Sequence, residues 1–257
     1  MIKVENLHKR FGDEEVLKGI STTFQKGKTN VIIGQSGSGK TVFMKCLLGL
    51  FEPEEGKIIY GETAIQDMDK DEKSELRQKM GMLFQGGALF DSMNIEENVM
   101  FPLRMFSKKS RAEMLERVNE VLKRVNLENV NKKLPAEISG GMQKRVAIAR
   151  AIVNNPEYLF CDEPNSGLDP RTATVIDNLI QEITKEYDIT TVINTHDMNS
   201  VMEIGETIIF LKDGHLVWEG DKSLIFKTDN EAVTDFVYSS DLFKKIRIAQ
   251  NIENDKL

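Results

Sequence analysis

Gly34-Gln35-Ser36-Gly37-Ser38-Gly39-Lys40-Thr41 sits between a β-branched run, Thr29–Ile33 (TNVII), and an apolar run over residues 42–50 (VFMKCLLGL). The octapeptide fits G-x-x-x-x-G-K-[ST] in the strand-to-helix context that gives the pattern its chemistry. Its glycines let successive backbone N–H groups and the helix N-terminus turn toward phosphate oxygens, where the helix dipole favours negative charge. Lys40 is then placed to neutralise the β- and γ-phosphates, and the Thr41 hydroxyl to ligate magnesium. An ordinary Gly/Ser turn has no reason to set a Lys-Thr pair at the helix start. The reading is an α/β nucleotide-binding fold.

A phosphate loop is common to several classes of NTPase, and other segments narrow the choice. Tyr158-Leu159-Phe160-Cys161-Asp162-Glu163 is an apolar run tipped by two acids, so the carboxylates fall at a strand's carboxyl end, where open α/β sheets bind ligands. Asp162 suits magnesium, and Glu163 suits the attacking water. Ser139-Gly140-Gly141-Met142-Gln143, followed by the helical run 144–152 (KRVAIARAI), forms a second helix mouth. That is an anion site for which this chain's own phosphate loop has no need.

With Ser139-Gly140-Gly141-Met142-Gln143 in place, the chain resembles the ATP-binding cassette (ABC) family over about residues 1–225. The resemblance implies a P-loop NTPase cassette with an antiparallel β layer and a helical subdomain, and ATP with Mg2+ as its ligands. It implies that Ser139, Gly140, Gly141 and Met142 face the nucleotide of a second copy, and that Asp169, in Ser166-Gly167-Leu168-Asp169, lies at the dimer interface. Gln85 matches the glutamine loop that reaches magnesium and senses a membrane partner. His196, after Thr191-Val192-Ile193-Asn194-Thr195, matches the switch histidine at the γ-phosphate, and Phe11 the aromatic that stacks on adenine. Phe11 stands where tyrosine is usual, and Met142 where glutamine is usual.

Leu83-Phe84-Gln85-Gly86-Gly87-Ala88-Leu89-Phe90, Met142 and Val217-Trp218-Glu219-Gly220 together resemble the ATPases of Mla and Mce-associated lipid transporters. That resemblance implies an integral membrane permease and an Mce-domain lipid-binding protein as partners, phospholipid or another hydrophobic cargo, and a place on the cytoplasmic face of the inner membrane. An ATPase of a small-solute importer, such as one for amino acids, would share every catalytic residue. A non-transport ABC ATPase would carry coiled-coil insertions or tandem cassettes, and neither occurs here. A non-catalytic binding module is opposed by intact Glu163 and His196.

The remaining features bound these readings. The 257 residues are 40% hydrophobic and 29% charged, ordinary for a globular chain, and a net charge of -7 argues against a nucleic-acid face. No apolar run reaches the roughly 18 residues of a membrane span, and no leader precedes Met1, so the expectation is a cytosolic chain. Cys46 and Cys161, the two cysteines, read as buried apolar residues. Residues 1–33 are expected to form short antiparallel strands beside the nucleotide, and residues 86–155 a helical lobe.

Within that lobe, residues 111–125 carry an apolar stripe at Met114, Leu115, Val118, Val121, Leu122 and Val125. Phe90, Met93, Met100, Phe101, Met105 and Phe106 suit a groove for a partner's short helix. A hairpin turning at Lys212-Asp213-Gly214 is expected to end the cassette fold. Residues 1–239 then make up the ATPase domain, and residues 240–257 a C-terminal tail expected to pack on a second copy.

Overall fold

The computed structural model describes residues 1–238, so the expected dimer contact of the 240–257 tail lies outside the described residues. Two sheets organise the chain. One is antiparallel in the order β2-β1-β4-β5, from β1 (Ile2–Phe11), β2 (Glu14–Phe24), β4 (Glu55–Tyr60) and β5 (Thr63–Ala64). The other has the order β10-β9-β3-β8-β7-β6, from β3 (Thr29–Ile33), β6 (Met80–Leu83), β7 (Tyr158–Asp162), β8 (Thr190–Asn194), β9 (Thr207–Lys212) and β10 (His215–Gly220). The pairs β9–β3, β3–β8, β8–β7 and β7–β6 are parallel.

The first 33 residues therefore differ from expectation in two ways. β1 and β2 are long rather than short, paired from Ile2–Phe24 to Phe11–Glu14. β3 leaves them for the parallel sheet, because Val31 and Ile33 enter one core while Ile32 enters another. A strand buried on both faces feeds two apolar layers at once, which a continuous β-branched run such as TNVII allows. β7 repeats the device, with Leu159 and Cys161 in one core and Phe160 in the other.

Helix α1 (Lys40–Leu47) buries Phe43, Met44, Cys46 and Leu47 between the sheets. After α2 (Lys70–Gln78), the interval 95–152 holds α3 (Ile95–Phe106), α4 (Arg111–Arg124) and α5 (Gly140–Ile152). In α4 the stripe behaves as a core face: Val118, Val121, Leu122 and the following Val125 are buried, and Met114 and Leu115 pack against them. α5 lies close on β6, since a Cβ at Gly81 would come within 2.3 Å of the Ala151 carbonyl oxygen. α6 (Pro170–Glu186) and α7 (Met198–Ile204) cover the same core.

The β9–β10 hairpin turns on Asp213 and Gly214, both at positive φ (50° and 83°), as a two-residue type I′ connection requires. It does not end the fold. Helix α8 (Glu231–Val237) follows, capped by Asn230, and buries Val233 and Val237 in the main core. The expectation failed because those contacts are long-range and the helix is too short to show a period in sequence. Among the described residues no helix is long and apolar enough to cross a membrane. Cys46 and Cys161 are both buried free thiols, and burial pushes the Cys46 thiol up to about 12.

Candidate nucleotide site

Parallel strands end their carboxyl termini on one side of the sheet, and here that side gathers the predicted residues. β3 runs into the 34–41 loop, β6 into Gln85, β7 into Asp162 and Glu163, and β8 into His196. A cavity of about 680 Å³ forms there, lined by Gln35, Ser36, Gly37, Gly39, Lys40 and Thr41 from the loop. Gln85, Asp162, Glu163 and His196 line it from the other strand ends, and Val16, Val42 and Phe236 complete the wall.

The loop has the stereochemistry of an anion cradle. Gly34, Gly37 and Gly39 have φ of 152°, 82° and 100°, and a Cβ on Gly34 would lie 2.3 Å from the Leu211 carbonyl oxygen. No side chain caps the N-terminus of α1 and no acid stands in its first turn, so its first N–H groups face the cavity side uncapped. Lys40 Nζ donates to the carbonyls of Gly34 (2.8 Å) and Gln35 (3.0 Å), folding the ammonium back over the loop. Burial lowers its pKa, opposed by Glu163 and Asp162. Ser38 is buried with its Oγ lacking a hydrogen-bond partner.

The acids are held in different ways. Asp162 Oδ1 accepts from Asn194 Nδ2 at 3.3 Å. Glu163 sits at φ 47°, a left-handed conformation uncommon outside glycine, and its N–H donates to the Asn194 carbonyl at 2.9 Å. Glu163 Oε1 lies 2.8 Å from His196 Nδ1, and the histidine side chain is 69% exposed while that of Glu163 is 17% exposed. A carboxylate turned out of its strand and paired to an exposed imidazole can orient a water and share its proton. Gln85 Nε2 donates to Ser166 Oγ at 3.2 Å, joining two of the predicted loops.

The donor set fits magnesium. Thr41 hydroxyl, Gln85 amide oxygen and Asp162 carboxylate all line this cavity, and a small hard cation takes few protein oxygens when phosphates supply the rest.

The signature segment, residues 139–143 at the start of the signature helix α5, stands apart. Ser139 caps α5, its Oγ accepting from Met142 N–H at 3.3 Å. Ser139, Gly140, Gly141 and Met142 line a second cavity of about 380 Å³ with Arg145, Gly167, Leu168, Asp169 and Thr172. Asp169 caps α6, accepting from Thr172 N–H (3.0 Å) and Oγ1 (2.5 Å), and these bonds hold its carboxyl below the usual range. Phe11 is 45% exposed with its ring edge-on to Phe51 at 5.2 Å, and it does not line the nucleotide cavity. Phe236, Val16 and Val42 do, unforeseen; Phe236 reaches it from α8, so no local pattern could have marked it.

The residues expected to form a partner groove divide. Met100 is core, Met93 and Phe101 are half-buried, and Phe90, Met105 and Phe106 are exposed, with Phe84 also exposed at 44%. Asn98 pins the loop before α3, its Oδ1 accepting from Phe90 N–H at 2.8 Å and its Nδ2 donating to Phe90 and Met93 carbonyls.

A phosphate loop and acid pair at one sheet edge, with a glycine-led helix mouth elsewhere, define a P-loop NTPase cassette. Residues 17–166 match the ABC transporter family, and the chain belongs to that family of ATP-binding cassettes. It is 41% identical over 236 residues to a "Probable ribonucleotide transport ATP-binding protein mkl" of Mycobacterium bovis, spanning 92% of this chain but 66% of that protein. It is 44% identical over 217 residues to "Methionine import ATP-binding protein MetN" of Clostridium tetani, across 84% of this chain and 68% of the relative. Among solved structures, the ATP-binding cassette MJ0796, described as a dimer in a post-hydrolysis state bound to ADP and Pi, matches with TM-score 0.77 and 35% identity, over 86% of this chain and 99% of that one. cbiO1 from Clostridium perfringens, part of an ABC transporter complex, matches with TM-score 0.82 and 30% identity over 98% of both.

Proposed function

We propose that this chain is the ATP-hydrolysing motor of an ABC transporter, in which two copies close on ATP and drive an integral membrane permease from its cytoplasmic face. The observation that carries the reading is the separation of two half-sites in one chain. The 34–41 loop, Glu163 and His196 line one cavity, and Ser139, Gly140 and Gly141 line another. Each opens on the N-terminus of a helix, which favours anions, and two copies facing each other would bring the halves together on the γ-phosphate.

In that arrangement Lys40 leaves the Gly34 and Gln35 carbonyls for the phosphates, Glu163 takes the proton of the attacking water, and His196 contacts the γ-phosphate. Thr41, Asp162 and Gln85 would hold magnesium. When bound, the ion neutralises charge on the β- and γ-phosphates.

The cargo we infer is phospholipid or another hydrophobic molecule, with an Mce-domain protein in the complex. Residues 83–90, Met142 and residues 217–220 support it through their resemblance to lipid-transport motors, and the exposed Phe84, Phe90, Met105 and Phe106 give an apolar docking face. A small-solute importer is the second reading, favoured by relatives named for methionine import and ribonucleotide transport. Gentle solubilisation with an ATP analogue, followed by mass spectrometry of co-purifying proteins, separates them. A permease with an Mce-domain protein supports lipid, a permease with a solute-binding protein supports the importer, and no membrane partner would overturn both.

A further inference from the structure

The signature helix carries two buried cations that face the glutamine loop. Lys144 is 6% exposed and its Nζ donates to the carbonyl of Gln85. Arg150, 9% exposed and six residues further along α5, donates from Nη1 to Ala88 (2.7 Å) and from Nη2 to Gly87 (2.6 Å). Three carbonyls of one short loop are thus held by two cations of one helix. The loop needs holding: Gly87 and Ala88 both sit at positive φ, 75° and 48°, and for alanine that conformation is strained. Charge-assisted bonds out of water are the strong kind, and each of these side chains was desolvated to make them.

The clasp reaches the chemistry from both ends. Gln85, whose main chain Lys144 holds, lines the same cavity as Asp162 and Glu163. The same helix begins at Ser139 and Gly140, which would face the partner's nucleotide.

We propose that Lys144 is a positioning residue for hydrolysis: with Arg150 it fixes the main chain of the 85–88 loop, so that the Gln85 amide stays in the catalytic cavity and moves only with the signature helix. The inference rests on the ATPase reading above, and it makes the cis and trans contributions of one subunit a single mechanical unit.

The test is a double-mutant cycle in one ATPase assay on the full chain. Lys144→Met is expected to lower kcat by about ten-fold while the nucleotide KM stays within about two-fold, because orientation and not binding is lost. In a Gln85→Ala background the same change is expected to have no further effect, since the group it positions is gone. Lys144→Arg, which keeps a cationic donor, is expected to recover most of the rate. Additive losses in the cycle, or a parental kcat for Lys144→Met, would overturn the clasp. Should Lys144→Met not fold, Lys144→Arg and Lys144→Gln carry the test, and equal ten-fold losses in both donors would overturn it. A parent chain that fails to hydrolyse ATP would defeat the ATPase reading itself, whereas an active parent with additive losses defeats only the clasp.

Discussion

Removing the Lys40 ammonium tests the phosphate cradle with a magnitude the geometry supplies. In the described structure Nζ makes bonds of 2.8 and 3.0 Å to the Gly34 and Gln35 carbonyls. Gln35 is exposed and Gly34 buried, so in Lys40→Ala water replaces the ammonium at one carbonyl and only the other is left poorly satisfied. The cost to the folded state is then about 0.5 to 1.5 kcal/mol, a fall in Tm of under about 5 °C. Nucleotide binding loses more. The ammonium exchanges two neutral acceptors for charged phosphate oxygens, and a hydrogen bond involving a charged group contributes about 1.5 to 3 kcal/mol, which is about 10- to 150-fold in Kd. Titration with a fluorescent ATP analogue at fixed salt, beside thermal unfolding of the same preparation, reads both quantities. A Kd within two-fold of the parent and an intact unfolding transition would refute the reasoning.

Gly34→Ala should be severe for a steric reason, because φ is 152° and the new Cβ would sit 2.3 Å from the Leu211 carbonyl oxygen and 2.6 Å from Ser38 Oγ. A destabilisation of about 1 to 3 kcal/mol with loss of nucleotide binding is expected by thermal unfolding and titration, and parental behaviour in both would contradict the cradle geometry. Asp177, 2% exposed with Oδ1 unpartnered, has its carboxyl raised by burial from 3.8 to about 6. Its folded pKa exceeds its unfolded one, so the stability its protonated form contributes is present below about pH 4 and lost as pH rises through about 6, on the order of 3 kcal/mol. The Tm advantage of Asp177→Asn over the parent should therefore widen between pH 4.5 and 7.5, and a gap independent of pH would contradict the burial argument.

What the sequence made legible was local. The phosphate loop, the acid-tipped strand and the hairpin turn are written in consecutive residues whose backbone demands are specific: glycine at positive φ, an apolar run, then a change of polarity. Non-local facts were not readable. α8 packs Val233 and Val237 into a core built mostly far upstream, and Phe236 reaches the nucleotide cavity from the same helix.

Lys144 and Arg150 read as ordinary helix cations because their partners are main-chain carbonyls, which carry no sequence signal. The six apolar residues of residues 90–106 could not be divided into core and surface, since Met100 and Met105 differ only in which side of α3 they occupy. Phe11, assigned by resemblance to an adenine, also meets Phe51 edge-on, a contact that position along the chain could not foretell.

The central claim is that two copies share ATP and that Glu163 acts on the water. Light scattering of Glu163→Gln with and without Mg-ATP, with phosphate release measured on the same sample, tests it most directly. The account predicts a dimer only in the presence of nucleotide and turnover slowed by at least ~10²-fold, the usual size of a general-base effect. Parental phosphate release, or a chain that stays monomeric with saturating Mg-ATP, would contradict it.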